Sequence, residues 1–445
     1  MTDPTLAQLY RDRLTTADAA AGMIHDGAKL TMGPAAASPP ALLAALAARA
    51  RAGAVRGLRV YYMLSTGVAG NSIFAPDLAD RITPISLFHG GIERALDKGR
   101  AASTAPWVDF IPAHFSQIPR ALIDHIGVDT LLAQVAPMDS HGYFSLGTNA
   151  DYTARVAKQP GMRIILEVNP QMPRVAGDCQ IHLSQATALI EATTPIPELP
   201  PAPRTATDDA IGAIIAGLVE DGACLQMGIG ALPDAVCAGL SHHRRLGIHT
   251  EMMTNGLAAL VKSGVVDNSA KQLHPGLSIF TFAFGDRALY DFLHENSAVA
   301  AYPVDYVNAP AVIAQNDRVI SVNATTQVDL HGACNSEYVA GRQFSATGGQ
   351  VDFVRGAYLS RGGRSIIACH STAAGGAISR IVPQLDGPVT TPRADTHIVV
   401  TEYGWADLKG KSLGERAAAL IALAHPNFRE ALERAAFDSR LLARL

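Results

Sequence analysis

The chain has 445 residues, of which 48% are hydrophobic and 17% are charged, and its formal net charge at pH 7 is −4. This length exceeds what one hydrophobic core usually serves, and the composition excludes intrinsic disorder, so two ordered globular domains are expected. Lysine and arginine are scattered along the chain, which excludes a nucleic-acid or membrane-binding surface and favours a small molecule as the partner.

The N-terminal segment and the cysteines bear on localisation. The first residues, MTDPTLAQLYRDRLTTADAA, carry charges throughout and lack the apolar core of a signal peptide. The most apolar early stretch, PPALLAALAA, has about ten residues, half of what a membrane span requires. The five cysteines lie far apart with no CxxC pair, so buried thiols are expected, with no zinc site or other metal and no disulfide framework. A cytoplasmic location is therefore predicted.

The first predicted strand, near residue 30, belongs to a segment that occurs twice. Residues 22–33 read GMIHDGAKLTMG and residues 217–228 read GLVEDGACLQMG, with seven of twelve positions identical. Each copy has an Asp-Gly break, a short apolar strand, a terminal glycine and then a helix rich in alanine and leucine. A second strand follows each copy, LRVYYML at 58–64 and LGIHTEMM at 246–253. These patterns predict an α/β protein with two tandem, similar open domains and mainly parallel sheets.

A proline-rich segment separates the two copies. Residues 191–209, EATTPIPELPPAPRTATDD, contain five prolines and little that could enter a core. Such sequence stays extended and solvated, which is typical of a linker. The predicted division is therefore an N-terminal domain over 1–190, a linker over 191–209 and a C-terminal domain over 210–445.

The second strand of the C-terminal copy ends in Glu251. Superposing Gly57 on Gly247 would put Tyr61 of the first copy where Glu251 stands in the second, so a shared requirement of the fold does not explain the carboxylate. In an open parallel sheet, ligands bind beyond the carboxyl ends of the strands, where Glu251 would neighbour a glycine loop. That loop consists of Gly228, Ile229, Gly230, Ala231 and Leu232.

Two interpretations of Glu251 compete. In a dinucleotide-binding domain, the glycine loop would hold a pyrophosphate and Glu251 would bind a ribose hydroxyl. However, Pro233 stands where the third glycine of that fingerprint belongs. In the second interpretation, Glu251 is a covalent nucleophile. The loop and the following helix N-terminus then offer backbone N–H groups to a phosphate, such as those of coenzyme A.

Six blocks occur in order along most of the chain: APMDSHGYFSLG (136–147), VNPQMPRVAGD (168–178), QMGIGALPDAV (226–236), GIHTEM (247–252), GRQFSATGGQVDF (341–353) and VTEYGWADLKGKS (400–412). Together they resemble the acetyl-CoA hydrolase/transferase family of class I CoA-transferases, which includes 4-hydroxybutyrate and butyryl-CoA:acetate CoA-transferases. The resemblance implies that Glu251 forms a glutamyl-CoA thioester. It also implies that acyl-CoA and small carboxylic acids are the substrates, that no cofactor is permanently bound, and that the chain forms a homo-oligomer.

This chemistry explains why a glutamate is required. A carboxylate that attacks an acyl-CoA thioester gives a mixed anhydride and a CoA thiolate, and the thiolate then attacks the glutamyl carbonyl and releases the acid. Each step passes through a tetrahedral oxyanion that needs preorganised N–H donors. Gly348 and Gly349 can bring bare backbone close to the reacting carbonyl because glycine lacks a Cβ. The resemblance implies that their loop lies at the CoA and acyl site.

Other polar positions carry weaker predictions. Asn323 and Thr326, in VNATTQVDL, are expected either to contact CoA or simply to form a turn. Glu402 also follows an apolar strand and competes with Glu251, although a structural role is expected for it. Asp139 and His141 have the appearance of a catalytic pair, but the DxHG run favours a turn.

The predicted activity is ping-pong CoA transfer, with the active site in the cleft between the two halves. Three alternatives stay open: an acyl-CoA hydrolase of the same fold, a CoA-binding sensor without activity, and, more distantly, an NAD-binding Rossmann oxidoreductase. The acid is open too, because residues 88–100 carry more charge than a monocarboxylate enzyme is expected to need. Arg94 or Arg174 would pair with the second carboxylate of succinate or itaconate, unless both are ordinary surface arginines.

Overall fold

The computed structural model describes residues 4–99 and 108–443. The chain divides into two compact units: Met1–Pro200 with Ile279–Tyr306, and Pro201–Ser278 with Val307–Leu445. The first division between the units therefore falls inside the predicted linker. The expected C-terminal domain was one continuous segment, 210–445. In the structure, Ile279–Tyr306 interrupts the second unit and belongs to the first.

The segment Ile279–Tyr306 belongs to the first unit because it is hydrogen bonded into it. Its strand Val299–Ala301 pairs with Ala176–Gly177. The Thr281 carbonyl also accepts hydrogen bonds from two consecutive backbone N–H groups of the first unit, at residues 150 and 151. These pairings join residues more than 100 positions apart, and no local sequence pattern reports them.

The first unit is built on a seven-stranded parallel sheet. Its strands are β1 (Lys29–Met32), β2 (Leu58–Met63), β3 (Ile82–Phe88), β4 (Asp109–Phe110), β5 (Thr130–Val135), β6 (Arg163–Val168) and β7 (Ala188–Glu191). Their order in the sheet is β7-β6-β5-β1-β2-β3-β4, and every pairing is parallel. The strand order reverses between β1 and β5, as in doubly wound α/β folds.

The second unit is built on a six-stranded sheet. Its strands are β8 (Cys224–Met227), β9 (Gly247–Ile248), β10 (Val319–Ala324), β11 (Arg364–Ala368), β12 (Ile398–Thr401) and β13 (Gly404–Asp407). The order is β9-β8-β10-β11-β12-β13, with parallel pairs except for the β12–β13 hairpin. The predicted class, two tandem α/β units with mainly parallel sheets, is confirmed.

Helices connect the strands, and short hairpins lie outside the two sheets. The longer helices are α1 (Pro4–Arg13), α2 (Pro40–Arg51), α3 (Gly91–Gly99), α4 (Ala206–Ala216), α5 (Ala231–Gly239), α6 (Asn255–Lys262), α7 (Arg287–Leu293), α8 (Gln350–Leu359), α9 (Leu413–Leu423) and α10 (Pro426–Asp438). Antiparallel hairpins pair Gln327–Asp329 with Cys334–Asn335 and Tyr338–Val339 with Arg342–Gln343. Over residues 4–99 and 108–443, every helix is too short or too polar to cross a membrane.

Each unit has its own hydrophobic core. In the first, side chains of β1 and β2 such as Leu30 and Val60 pack with α2. In the second, Ile367 of β11 and Val399 of β12 pack with α9. Strands of a parallel sheet are covered on both faces, which is why β1 and β8 are almost entirely buried. The predicted burial of the thiols is also confirmed for Cys179, Cys224, Cys237, Cys334 and Cys369.

The predicted duplication is visible in individual hydrogen bonds. In the first unit, Asp26 Oδ1 accepts a bond from the Arg56 backbone N–H at 3.1 Å. In the second, Asp221 Oδ1 accepts the equivalent bond from the Arg244 backbone N–H at 2.8 Å. The glycine after each aspartate has a φ of +73° or +76°, a conformation that favours glycine. The Asp-Gly break therefore performs the same turn before the first strand of each copy.

The predicted alignment of the two second strands, which placed Gly57 on Gly247, is wrong by two residues. Lys29 of β1 pairs with Arg59, whereas Cys224, its counterpart in β8, pairs with Gly247. Gly247 therefore corresponds to Arg59 and not to Gly57. Strand register follows the hydrogen bonds that begin at the turn, and these override the matching of two isolated glycines.

This register changes the counterpart of Glu251. It is Met63, two residues beyond the expected Tyr61, counted along β2 from the paired positions. Met63 is buried and apolar. The earlier conclusion stands, because the carboxylate still belongs to only one copy.

A buried carboxylate joins the first sheet to a helix. Glu167 of β6 accepts hydrogen bonds through Oε2 from the backbone N–H groups of Ala41 and Leu42, at 2.9 and 3.0 Å. These groups belong to the first turn of α2, where the helix dipole favours a negative charge. Burial nevertheless raises the pKa of Glu167 to about 7, against the effect of both hydrogen bonds. The first unit therefore contains a carboxyl group that titrates near neutral pH.

We expect Glu167→Gln to stabilise the protein at high pH. A carboxyl group whose pKa is raised by folding stabilises the folded state below its ordinary pKa, and this contribution is lost as the pH rises through 7. Glutamine keeps an oxygen for the helix amides and cannot ionise. The free energy of unfolding of the variant should exceed that of the wild type at pH 8, by up to about 3 kcal/mol, with little difference at pH 4.5. Denaturant titrations at both pH values measure this, and a difference that does not change with pH contradicts it.

Candidate active site

The predicted glycine loop lies at the carboxyl end of β8. The Gly228 backbone N–H donates to the Val322 carbonyl of β10 at 3.1 Å. Gly230 has a φ of +106°, which turns the chain into α5, and the Ile229 side chain at the tip is 47% exposed. Ala231 and Leu232 form the first turn of α5. The first N–H groups of a helix have no intrahelical acceptor, so this loop can bind a phosphate.

Glu251 lies in the bend that follows β9, at the same edge of the sheet. Its Oε2 accepts a hydrogen bond from Nδ2 of Asn308 at 2.7 Å. The backbone of Gly349 also hydrogen bonds to the carboxylate. A Cβ added at Gly349 would overlap both Oε2 of Glu251 and Nδ2 of Asn308. The structure therefore brings Glu251 and the predicted Gly-Gly loop together, and only glycine fits at position 349.

The Gly-Gly loop also leads into a helix whose N-terminus lies at Glu251. Gly348 has a φ of +55°, and Gly349 is the N-cap of α8. The positive end of a helix dipole favours negative charge, including the charge that develops on an oxyanion. Asp352, in the first turn of the same helix, acts in the opposite direction on Glu251.

The groups around Glu251 shift the pKa of its carboxyl group towards neutral pH. Burial of the carboxyl group, with a smaller contribution from the negative charge of Asp352, raises its pKa to about 7. The hydrogen bonds from Asn308 and Gly349 oppose this rise because they stabilise the anion. A perturbed carboxylate of this kind is typical of a functional site.

His249 fixes the backbone beside Asn308. Its ring is fully buried, and burial, followed by the nearby Lys271, lowers its pKa to about 3, so the ring is neutral. Its Nε2 donates to the Val307 carbonyl at 2.8 Å. Val307 directly precedes Asn308, so the bend that carries Glu251 and the chain that carries Asn308 are tied together.

Lys271 fixes the backbone of β9 and of the chain at Leu277 by hydrogen bonds. Its Nζ donates to the Ile248 and Leu277 carbonyls at 2.8 and 2.6 Å, and burial lowers its pKa to about 8. A Cβ at Gly247 would lie 2.6 Å from Lys271 Cγ, so glycine is needed to seat the lysine stem. Sequence reasoning missed Lys271 and Asn308, because neither lies in a motif whose residue spacing indicates a catalytic or binding site. For Asn308, the only local signal is its place before Ala-Pro.

Asn323 and Thr326 occupy different environments. Asn323, near the end of β10, exchanges hydrogen bonds with the amide of Gln226 on β8, at 3.2 and 3.5 Å. It lies at the same edge as Gly228. The Thr326 hydroxyl donates to the Asn335 carbonyl at 2.5 Å, inside the hairpin that follows. The contact therefore supports the turn-forming interpretation of Thr326.

Glu402 lies away from Glu251. It follows β12, four strand spacings from β9, which corresponds to roughly 19 Å. Its carboxylate accepts the Ser371 backbone N–H at 2.9 Å and the Ser371 hydroxyl at 2.6 Å. These bonds fit the structural role expected for Glu402.

The remaining polar candidates are engaged in turns. Asp139 Oδ1 accepts the backbone N–H groups of His141 and Tyr143, both at 2.9 Å, which is the turn expected from the DxHG run. The Arg174 guanidinium lies 3.3 Å from Asp139 and donates to the Pro137 and Tyr143 carbonyls. Arg94, in α3, donates to the backbone carbonyl of residue 89, just before that helix begins.

Comparison with known proteins gives consistent matches. The chain matches the family models for the N-terminal and C-terminal domains of acetyl-CoA hydrolase/transferase, over residues 5–203 and 285–436. It is 45% identical to a succinyl-CoA:cyclohexane-1-carboxylate CoA transferase of Geobacter metallireducens, over 82% of each chain. It is 43% identical to a 4-hydroxybutyrate coenzyme A transferase of Clostridium kluyveri, over 96% of this chain and 97% of that protein. The crystal structure of RipA from Yersinia pestis superposes with a TM-score of 0.95 and 51% identity, over 98% of this chain and 100% of that one.

Proposed function

Because the chain belongs to the acetyl-CoA hydrolase/transferase family and is a CoA-transferase, we propose that it carries CoA between acids as a thioester on Glu251. One observation carries this proposal. The Glu251 carboxylate meets the Asn308 amide and the backbone of Gly349 at the N-terminus of α8. A nucleophilic carboxylate that becomes a carbonyl needs such donors on one of its oxygens.

In the first step, Glu251 attacks the acyl-CoA. The contacts of Asn308 and Gly349 are on Oε2, so Oε1 attacks the thioester carbonyl carbon. The C–S bond then breaks, the electron pair leaves with the CoA thiolate, and an acyl-glutamyl anhydride remains. The thiolate attacks the Glu251 carbonyl carbon, the C–O bond of the anhydride breaks, and the carboxylic acid departs as its anion. The product is CoA bound to Glu251 as a thioester.

The two donors act on the second attack. When the thiolate adds to the glutamyl carbonyl, Oε2 becomes an oxyanion beside the Asn308 amide, the Gly349 N–H and the dipole of α8. Loss of one such donor typically costs about 2.7 to 4 kcal/mol, or about 100-fold to 1,000-fold in rate. An acceptor acid then repeats both steps in reverse, so the activation of the thioester is conserved.

We propose that the loop from Gly228 to Leu232 receives a phosphate of CoA. Its support is the strand-to-helix geometry and the N-terminus of α5 at the same sheet edge as Glu251. Asn323 lies at this edge as well. Its side-chain amide is hydrogen bonded to Gln226 and would contact CoA only after that hydrogen bond is broken.

The acids are small monocarboxylates or dicarboxylates. Relatives are named for succinyl-CoA and 4-hydroxybutyrate. The partners of Arg174, which include Asp139, do not favour it as the site for a second carboxylate. Exchange of acetyl-CoA against acetate, butyrate, 4-hydroxybutyrate, succinate and itaconate, ranked by kcat/KM, identifies the class.

We expect the covalent intermediate to form on Glu251. After incubation with acyl-CoA, borohydride should reduce the Glu251 thioester to an alcohol, and hydroxylamine should convert it to a hydroxamate; peptide mass mapping locates either product. Glu251→Gln should fold normally and lose exchange, because its neutral amide is a poor nucleophile. Glu251→Asp should lose most activity, because a carboxylate drawn back by one methylene misses the attack distance of about 3 to 3.5 Å. A label on Glu402, or near-normal turnover of Glu251→Gln, would overturn the assignment.

Transfer should prevail over hydrolysis. With acyl-CoA and no acceptor, the enzyme should release about one equivalent of carboxylic acid per chain and little free thiol, because the CoA stays on Glu251. Adding an acceptor should start turnover with ping-pong kinetics. Thiol release followed with a disulfide dye distinguishes the two outcomes. Rapid thiol release without an acceptor identifies an acyl-CoA hydrolase.

The pH profile should follow the ionisation of Glu251. Attack requires the anion, so kcat/KM for acyl-CoA should fall as the pH drops through about 7. Asn308→Ala removes a hydrogen bond that lowers the pKa and should move the midpoint to higher pH, with a rate loss of about 100-fold. Asp352→Asn removes a negative charge and should move the midpoint to lower pH. Profiles of the three proteins between pH 5.5 and 9 measure this, and shifts of both variants in one direction contradict it.

We also propose that the enzyme is a cytoplasmic homo-oligomer. The support is the exposure of large apolar side chains in the second unit: Tyr358, Leu359 and Trp405 are 52%, 65% and 50% exposed. Exposed apolar groups are often covered in assemblies. Sedimentation at micromolar concentration should give a species larger than the 46.7 kDa chain, and a single species of that mass contradicts the proposal.

A further inference from the structure

Another buried carboxylate, Glu337, lies in the loop region that leads to Gly349. Glu337 is 5% exposed, and its Oε2 accepts the hydroxyls of Thr390 and Thr347 at 2.7 and 3.1 Å. The Gln343 amide lies 3.5 Å from Oε1. These three partners are neutral, and a buried carboxylate without a cationic partner is expensive to keep.

The backbone of the same residue holds the other end of this loop. The Glu337 carbonyl accepts the N–H groups of Phe344 and Ser345 at 2.8 and 3.0 Å. Its carboxylate binds Thr347, which directly precedes Gly348. Glu337 therefore attaches the loop over residues 344–347 at both of its ends, immediately before the two glycines.

A matching attachment lies just after the glycines. The Gln350 amide donates to the Thr391 hydroxyl at 2.8 Å. The backbone N–H groups of Thr390 and Thr391 donate to the Cys334 carbonyl at 2.8 and 3.1 Å. The strand Cys334–Asn335 thus connects both attachments: Glu337 follows it in sequence, and its Cys334 carbonyl binds the two threonines.

Gly348 and Gly349 need such attachments because they have no side chains to pack. Glycine has the largest backbone freedom of any residue. A catalytic donor that is misplaced by about 1 Å can lower the rate about 100-fold. Hydrogen bonds from neighbouring residues are the usual means of fixing such a group.

We propose that Glu337 is a positioning residue that holds the Gly348–Gly349 loop, so that the Gly349 N–H reaches Glu251. This inference rests on the proposed role of Glu251 and names the residue that maintains it. Glu337 does not touch the reacting atoms. It acts through Thr347 and through the backbone of Phe344 and Ser345.

The test uses the full chain with Glu337→Gln, Thr347→Val and a matched control, Thr401→Val. Thr401 is a buried threonine of the same unit, and its hydroxyl donates to the Leu423 carbonyl at 2.7 Å, outside this loop and the strand around Cys334. We expect Glu337→Gln to lower kcat about 10-fold to 100-fold, with KM for acyl-CoA within about twofold, because the CoA loop at 228–232 is untouched. Thr401→Val should keep the wild-type kcat.

Two further readouts separate positioning from general stability. Loosening the Gly349 hydrogen bond removes an effect that lowers the pKa of Glu251, so the acid midpoint of the pH profile should move upward in Glu337→Gln and not in Thr401→Val. The double variant Glu337→Gln/Thr347→Val should lose less activity than the product of the two single losses, since both substitutions weaken one shared contact. Borohydride trapping should give the thioester on Glu251 more slowly in both single variants.

The outcomes distinguish this inference from the proposed function. If wild-type Glu251 is labelled and Glu337→Gln keeps the wild-type kcat and pH midpoint, the role of Glu337 is wrong and that of Glu251 stands. If wild-type Glu251 is never labelled, both fall together. Should Glu337→Gln fail to fold, Thr347→Val, which removes one hydroxyl, decides with the same readouts: an unchanged kcat and midpoint overturn the inference.

Discussion

The contact between the Glu251 carboxylate and Gly349 imposes the strictest steric constraint on the site. No side chain can be added at position 349, because even a single Cβ would overlap Glu251 and Asn308. The residues around it serve this contact: His249 ties the bend of Glu251 to the chain before Asn308, and Lys271 clamps the strand that leads into the bend. The site is therefore assembled from backbone and neutral amide groups.

The same contact explains the electrostatic state of the site. Burial and Asp352 disfavour the Glu251 anion, whereas the donors from Asn308 and Gly349 favour it. A fully stabilised carboxylate would be a weak nucleophile, and a protonated one would not attack at all. The opposing effects leave it ionisable near neutrality, and the donors gain strength when charge develops on the carbonyl oxygen during the second attack.

Much of this was predictable from local sequence. The Asp-Gly turns, the strands after them and the glycine loop are specified by neighbours within about ten residues, so the pattern at 22–33 and its repeat at 217–228 were sufficient. Glu251 and the Gly-Gly pair could be named because each lies in a compact run. Asn308 could not, since it meets Glu251 across 57 residues of sequence. The register of β2 and β9 failed for a related reason, because hydrogen bonds at the turn decide it and matching glycines do not.

The chain crosses between the two compact units at 200/201, at 278/279 and again at 306/307. No single cut can therefore separate them into independent polypeptides: a fragment that ends at the proline-rich segment would lack the strand Val299–Ala301 that pairs with Ala176–Gly177. During synthesis, the ribosome must release residue 306 before the first unit can close. By then residues 201–278 have already emerged and must remain soluble without β10, the strand that pairs with β8. Translation thus delivers two unfinished units together, because the first still lacks Ile279–Tyr306 when β8 and β9 of the second have already emerged.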